Sequence, residues 1–268
     1  MTGDIVVVRG GGDVASGVIQ KLHRAGFRVL VLEIAKPTSI RRTVCFSEAI
    51  YNDEIILENI VSVFAKNEAQ ISKAWFEDKV PVVIDPKCDY INLFKPLIVV
   101  DAIIAKINTG MDRGLAPITI AVGPGFRAGI DVDIVIESNR GHNLGRLIFE
   151  GMAEPNTNNP GNIDGFTRER VLYSPCEGIL KTDYNIGDVV KKGEIIATVN
   201  QENIIAKIDG ILRGILRDNT YVTKDFKVGD VDPRINQISN CYTISDKARA
   251  IGGAVLEAVL IEKRIKNM

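Results

Sequence analysis

Residues 4–33, DIVVVRGGGDVASGVIQKLHRAGFRVLVLE, constrain the fold more than any other stretch. Ile5 to Val8 form an apolar run without polar alternation, the pattern of a strand buried on both faces of a parallel sheet. Val14, Val18, Ile19 and Leu22 then recur at helical spacing, while Gln20, Lys21, His23 and Arg24 face away. Asp13 suits the helix cap, Gly26 suits its end, and FRVLVLE supplies a second strand. Strand, turn, helix and strand in so short a span make one βαβ unit.

The turn itself is glycine-rich. Gly10, Gly12 and Ala15 fit G-x-G-x-x-A between a strand and a helix, the context a dinucleotide turn requires. Gly10 permits the tight turn, Gly12 lets a pyrophosphate approach the backbone, and Ala15 with Gly17 allows close helix packing. The N–H groups of this turn, Gly11 included, are expected to stand bare at the positive end of the helix dipole. Glu33 closes the second strand 23 residues after Gly10, where an acid bonds ribose hydroxyls and repels a 2′-phosphate. An NAD-like dinucleotide is thereby favoured over NADP. The competing reading is a tight βα turn with no ligand, and Asp13 would oppose an anion unless it caps the helix.

Further strands are predicted at VCFSEAIY, VPVVID, PLIVVDAII, APITIAVGPGF and VDIVIES, with a helix over NEAQISKAWFEDK. This alternation indicates an open α/β sheet. Loops after such strands carry ligands, which singles out several residues. Arg41 and Arg42 could clamp a phosphate or form a solvated basic pair. Cys45, just beyond them, is a candidate nucleophile or chalcogen carrier, or else a small buried strand residue. Gly123, Gly125 and Arg127 in VGPGFRAG, and Arg140 and His142 in NRGHNLG, suggest one composite anion site. Asp85 reads as a turn former, and Asp101 and Lys106 as further polar groups at strand ends. Residues 152–168 are rich in turn formers and read as an exposed loop.

From Arg170 to Arg234 strands shorten and turns multiply, the texture of a small all-β module. EGIL at 177–180 echoes DGIL at 209–212, and IGDVV at 186–190 echoes VGDVD at 228–232, suggesting two related halves. SDKARAIGGAVLEAVLIEKRI then reads as a C-terminal helix capped by Ser245 or Asp246, its Ala-Gly face packing back on the α/β part. The expected organisation is an α/β domain over 1–165, a β module over 170–234, and a returning helix over 240–268.

The net charge of −1 and pI near 6.2 argue against nucleic acid as a partner. Mean hydropathy of +0.09 and short apolar runs give no membrane segment. Cys45, Cys88, Cys176 and Cys241 form no CxxC pattern and suit a reduced, cytoplasmic protein. Two histidines leave no basis for a His-built metal centre.

GDVVKKGEIIATV and IIAKIDGIL resemble the paired motifs of biotinyl/lipoyl domains. The carrier-lysine position falls on Val199 in TVNQ, so neither biotin nor lipoate is expected, and the module is read as an interaction or packing element. Across nearly the whole chain, VVVRGGGDVASGVIQKLHRAGFRVLVLE, PTSIRRTVCFSEAIY, VGPGFRAGIDVDIVIESNRGHNLG, VGDVDPR and KARAIGGAVLEAVL resemble the accessory proteins of selenium-dependent molybdenum hydroxylases. The resemblance implies a Rossmann-like parallel or mixed sheet with an inserted barrel-sandwich hybrid. It also implies a maturation role, with the client hydroxylase or its cofactor-maturation proteins as partners. A nucleotide or molybdopterin-type cofactor, which carries a phosphate, is the implied ligand. The remaining readings are an NAD-dependent oxidoreductase and a non-catalytic scaffold.

Overall fold

A computed structural model describes residues 3–157 and 160–268; residues 1, 2, 158 and 159, the last two within the expected 152–168 loop, lie outside it. The chain divides into two compact units. Met1–Pro37, Cys45–Asn156 and Ile244–Met268 form the first, and Thr38–Val44 with Thr157–Thr243 the second. The second therefore also takes up Thr38–Val44, which the sequence reading assigned to the α/β domain.

The first unit runs β1 (Ile5–Arg9), α1 (Asp13–Arg24), β2 (Arg28–Glu33), α2 (Ala49–Asn52), β3 (Glu54–Leu57), β4 (Ile60–Phe64), α3 (Glu68–Phe76), β5 (Val80–Ile84), α4 (Asp89–Phe94) and β6 (Ile98–Asp101). It continues with β7 (Ile118–Val122), β8 (Arg127–Ala128), β9 (Ile134–Ile136), β10 (Leu147–Ile148) and β11 (Gly151–Met152). Nine strands make one mixed sheet in the order β10-β9-β7-β6-β1-β2-β5-β4-β3, antiparallel only at β10/β9 and β3/β4. Without the edge strands β3, β4 and β10, the order reads 3-2-1-4-5-6, that of dinucleotide-binding sheets, with β1 and β6 flanking the point of reversal.

Val6, Val7 and Val8 are wholly buried because both sheet faces are covered. Val7, Leu30, Val83, Val99, Ala121 and Val135 share a core with Ile71 of α3 and Ile91 of α4. Their neighbours in the pleat point the other way, toward α1 and the helix that closes this unit. Gly26, with φ +89°, ends α1 as expected. The α1 cap differs: Gly12 occupies it without a side-chain bond, and Asp13 is the first helical residue.

VCFSEAIY is not a strand. Arg42–Val44 and Phe46–Glu48 are single 3-10 turns, followed by α2. The amides a strand would pair laterally are already used: Phe46 N–H donates to Ser16 Oγ at 3.0 Å, and Ser47 N–H to the Gly11 carbonyl at 2.9 Å.

The second unit is all β: β12 (Val171–Tyr173), β13 (Gly178–Lys181), β14 (Val189–Val190), β15 (Ile195–Val199), β16 (Glu202–Ile205), β17 (Gly210–Ile215), β18 (Tyr221–Val222) and β19 (Lys227–Asp232). They form two four-stranded sheets, β12-β19-β17-β14 and β16-β15-β13-β18, around a core that includes Leu180, Val199, Leu212 and Val231. The internal echo is present with a different register. Strand starts pair Gly178 with Gly210, Val189 with Tyr221 and Ile195 with Lys227, a constant spacing of 32 residues. EGIL and DGIL keep that spacing, whereas IGDVV has its structural counterpart in DNTYV at 218–222, not in VGDVD. β14 pairs with β17 and β18 with β13, so each half lends a strand to the other's sheet.

The closing helix of the first unit is α5 (Asp246–Ile265), capped by Ser245, whose side chain accepts from Ala248 N–H at 3.2 Å. It crosses α1 at contact distance: a Cβ on Gly17 would lie 2.1 Å from the Ala248 carbonyl oxygen, and one on Gly252 2.3 Å from that of Gly17. Lys263 pairs with Asp4 at the start of β1. The N-termini of α1 and α5 therefore lie together at the carboxyl edge of the sheet.

Candidate functional site at the carboxyl edge of the sheet

Two of the turn amides expected to be bare, those of Gly10 and Gly11, are engaged by the chain itself. Glu33 Oε2 accepts from Gly11 N–H at 2.9 Å and Oε1 from Ile34 N–H at 2.8 Å. The acid expected on a ribose instead bonds the turn that would hold the pyrophosphate. Other glycines of the edge are met by protein in the same way. Gly11 lies against Ser47, whose N would be 2.9 Å from an added Cβ. Gly10 faces Ile103, and Gly125 faces Ile107, whose Cα would be 2.7 Å from a Cβ there. The segment after β6 thus covers the glycine positions after both β1 and β7, and Gly123 packs against Ser138.

Burial pushes the Glu33 carboxyl above the ordinary glutamate range, and the Ile34 and Gly11 N–H groups pull it partly back. A folded-state value above the unfolded one gives a contribution that is complete below the unfolded pKa and lost as pH rises through the raised value. Glu33→Gln is expected to remove that fall, so the difference in denaturation midpoint between variant and wild type should shift in the variant's favour across that window. A pH series of chemical denaturation curves measures it.

Beside this turn, Arg9 and Asp101, at the ends of β1 and β6, form a buried pair at 2.9 Å with side chains 6% and 1% exposed. Arg9 also donates to the Thr109 carbonyl at 2.7 Å, and Asp101 accepts from Ile103 N–H at 3.1 Å. These bonds hold the covering segment over Gly10. Desolvation pushes the Asp101 carboxyl up against the pull of Arg9. Asp85 accepts from the N–H groups of Asp89 and Tyr90, fastening the start of α4.

The other sequence candidates separate. Arg41 donates to the carbonyls of Asn240 and Thr243, and Arg42 to that of Ile215, so both brace the β unit. Cys45 is fully buried, its thiol out of reach of a substrate in this conformation. Arg127 is exposed beside the short β8/β11 pair, and His142 is exposed in its loop. Arg140 makes a two-pronged pair with Asp246 at 2.7 and 2.9 Å.

The residue missed from sequence is Lys247. It sits in the first turn of α5, half-buried within the electrostatic reach of Arg140, Asp13, Glu137 and Asp246. Burial, then the Arg140 charge, lowers its pKa; Asp13, Glu137 and Asp246 oppose the shift. Its ammonium makes no hydrogen bond or ion pair among the described residues. In sequence it is one lysine on an amphipathic helix, and only the α1/α5 crossing brings it to the edge where α1 begins.

Among the described residues no cluster of His, Cys, Asp and Glu could hold a metal ion, and no helix is long and apolar enough to cross a membrane. At the position read as the carrier lysine, Val199 ends β15 fully buried, and Asn200 and Gln201 form the turn.

No family model matches the chain. It is 47% identical over 257 residues to "Uncharacterized protein YqeB" of Escherichia coli (strain K12), covering 96% of this chain and 47% of that protein. The chain thus spans about half the length of the curated relative it matches. Among solved structures, an aspartoacylase family protein from Mesorhizobium loti is 13% identical at a TM-score of 0.27, over 86% of this chain and 85% of that one. The product-bound ectoine utilization protein EutE from Ruegeria pomeroyi is 10% identical at 0.26, over 85% of each chain. Likenesses of that size carry no argument about fold or activity.

Proposed function

We propose that this protein is an accessory factor in the maturation of a selenium-dependent molybdenum hydroxylase, holding a phosphate-bearing nucleotide or molybdopterin-type ligand between Lys247 and Arg140. The observation that carries the ligand part is the partnerless, half-buried ammonium of Lys247. Desolvating a cation without a partner is costly, and an anion at the carboxyl edge of an open α/β sheet relieves that cost where such sheets hold ligands. The maturation part rests on the sequence resemblance. In the second unit, the strand exchange between halves supports a barrel-sandwich hybrid that serves as a contact surface for the client.

The dinucleotide oxidoreductase reading needs Glu33 on a ribose and Gly11 N–H on a pyrophosphate, whereas the two bond each other. The same bond favours a second reading, a scaffold whose nucleotide turn is silent. Binding separates them. With a ligand such as CTP at about 100 times its dissociation constant, unfolding should be opposed by a further ~2.7 kcal/mol. Lys247→Met should abolish most of that gain without changing the melting temperature of the free protein downward. Equal gains in both proteins would refute the placement of the ligand, and no gain with any nucleotide or pterin would leave the scaffold. For the maturation role, deletion of the gene should abolish molybdenum hydroxylase activity while the hydroxylase polypeptide remains; normal activity would refute it.

A further inference from the structure

One face of α5 is left bare. Leu260 is 56% exposed, with Leu256 and Ile261 partly exposed on either side of it. Leu256, Glu257, Leu260, Ile261 and Arg264 line one shallow groove along the helix. A mostly apolar groove on a helix already packed on its other face marks a site for a partner. Glu257 and Arg264, seven residues apart on the same face, lie between Leu260 and Ile261 around the helix, and neither side chain forms a hydrogen bond or ion pair among the described residues.

We infer that this face binds a second copy of the same chain, α5 against α5, antiparallel about a two-fold axis between Leu260 and Ile261. A two-fold contact must be complementary to itself, and this groove is. The axis gathers Leu260 and Ile261 of both copies at the centre of the contact. It also sets Glu257 of each copy opposite Arg264 of the other, one such pair at each end of the apolar centre. Each of these charges, unpaired within its own copy, meets an opposite one. The ion pairs fix direction and register, while the leucines and isoleucines supply the attraction. The opposite face of α5, with Ile251, Val255, Ala258 and Val259 buried, is already committed to the sheet and α1, so dimerisation needs no rearrangement of the fold.

Sedimentation velocity across a concentration series tests this. The wild-type chain should reversibly reach the mass of a dimer. Leu260→Glu, at an exposed position, should be a monomer with unchanged circular dichroism. Glu257→Arg and Arg264→Glu should each weaken association at least tenfold by opposing like charges, and the double variant Glu257→Arg/Arg264→Glu should restore it. A wild-type monomer at every concentration overturns the inference. So does a dimer indifferent to Leu260→Glu, or a double variant no better than either single one.

Discussion

Gly17→Ala is expected to destabilise the protein by about 3 kcal/mol or more, the upper range for overpacking a tight interior. The added methyl would sit 2.1 Å from a backbone oxygen of α5 and 2.9 Å from the Ala248 Cβ. A flexible side chain could yield, but here whole helices must separate, dragging Val18, Ile19, Val255 and Val259 from a core in which none is exposed. The gain in intrinsic helix propensity, about 1 kcal/mol for glycine to alanine, is of opposite sign and too small to offset this. Gly252→Ala should behave alike, since its Cβ would lie 2.3 Å from the Gly17 oxygen. Gly253 tests the argument from the same helix: nothing lies within 4 Å of a Cβ there, so Gly253→Ala should show the propensity gain alone. Denaturant midpoints for the three variants measure the contrast. Equal effects at 17 and 253 would mean that the helices do not touch as described.

Asp101→Asn is expected to cost about 3–5 kcal/mol, because it leaves the Arg9 charge buried without its counter-ion. Arg9 is 5% exposed and Asp101 fully buried, so solvent cannot replace the lost carboxylate. The consequence also reaches the site. Arg9 holds Thr109 and Asp101 holds Ile103, so the segment covering Gly10 and Gly125 should loosen with the pair. Amide exchange over 102–110 should accelerate before the rest of the first unit opens. Replacing both partners with apolar residues, Arg9→Met/Asp101→Leu, should recover much of the stability while leaving the segment loose. A double variant as unstable as Asp101→Asn would show that the pair itself, not the uncompensated charge, sets the stability.

Much of the first unit was legible because its strands are buried on both faces and so announce themselves as uninterrupted apolar runs. Ile5–Val8, Val80–Ile84 and Ile118–Val122 are of this kind. The β3/β4 hairpin was not: its turn uses Glu58 and Asn59, both at positive φ, in place of the glycine that marks most such turns. VCFSEAIY misled because its apolar side chains are buried as a strand's would be, while its amides bond the α1 turn. The glycines of the first turn were legible as positions of close approach, but sequence does not say to what. In the fold they admit Ser47 and Ile103. Likewise, Glu33 was legible as an acid near that turn, and only the backbone path shows that it reaches Gly11 N–H. Lys247 depends on a contact between helices more than two hundred residues apart, beyond any local pattern.

The most direct measurement is a crystal soaked with CTP, read for where the phosphates settle. The account predicts density between Lys247 Nζ and the Arg140 guanidinium, with Glu33 still bonded to Gly11. Phosphates seated on the Gly11 amide, with the Glu33 carboxylate swung aside, would contradict it.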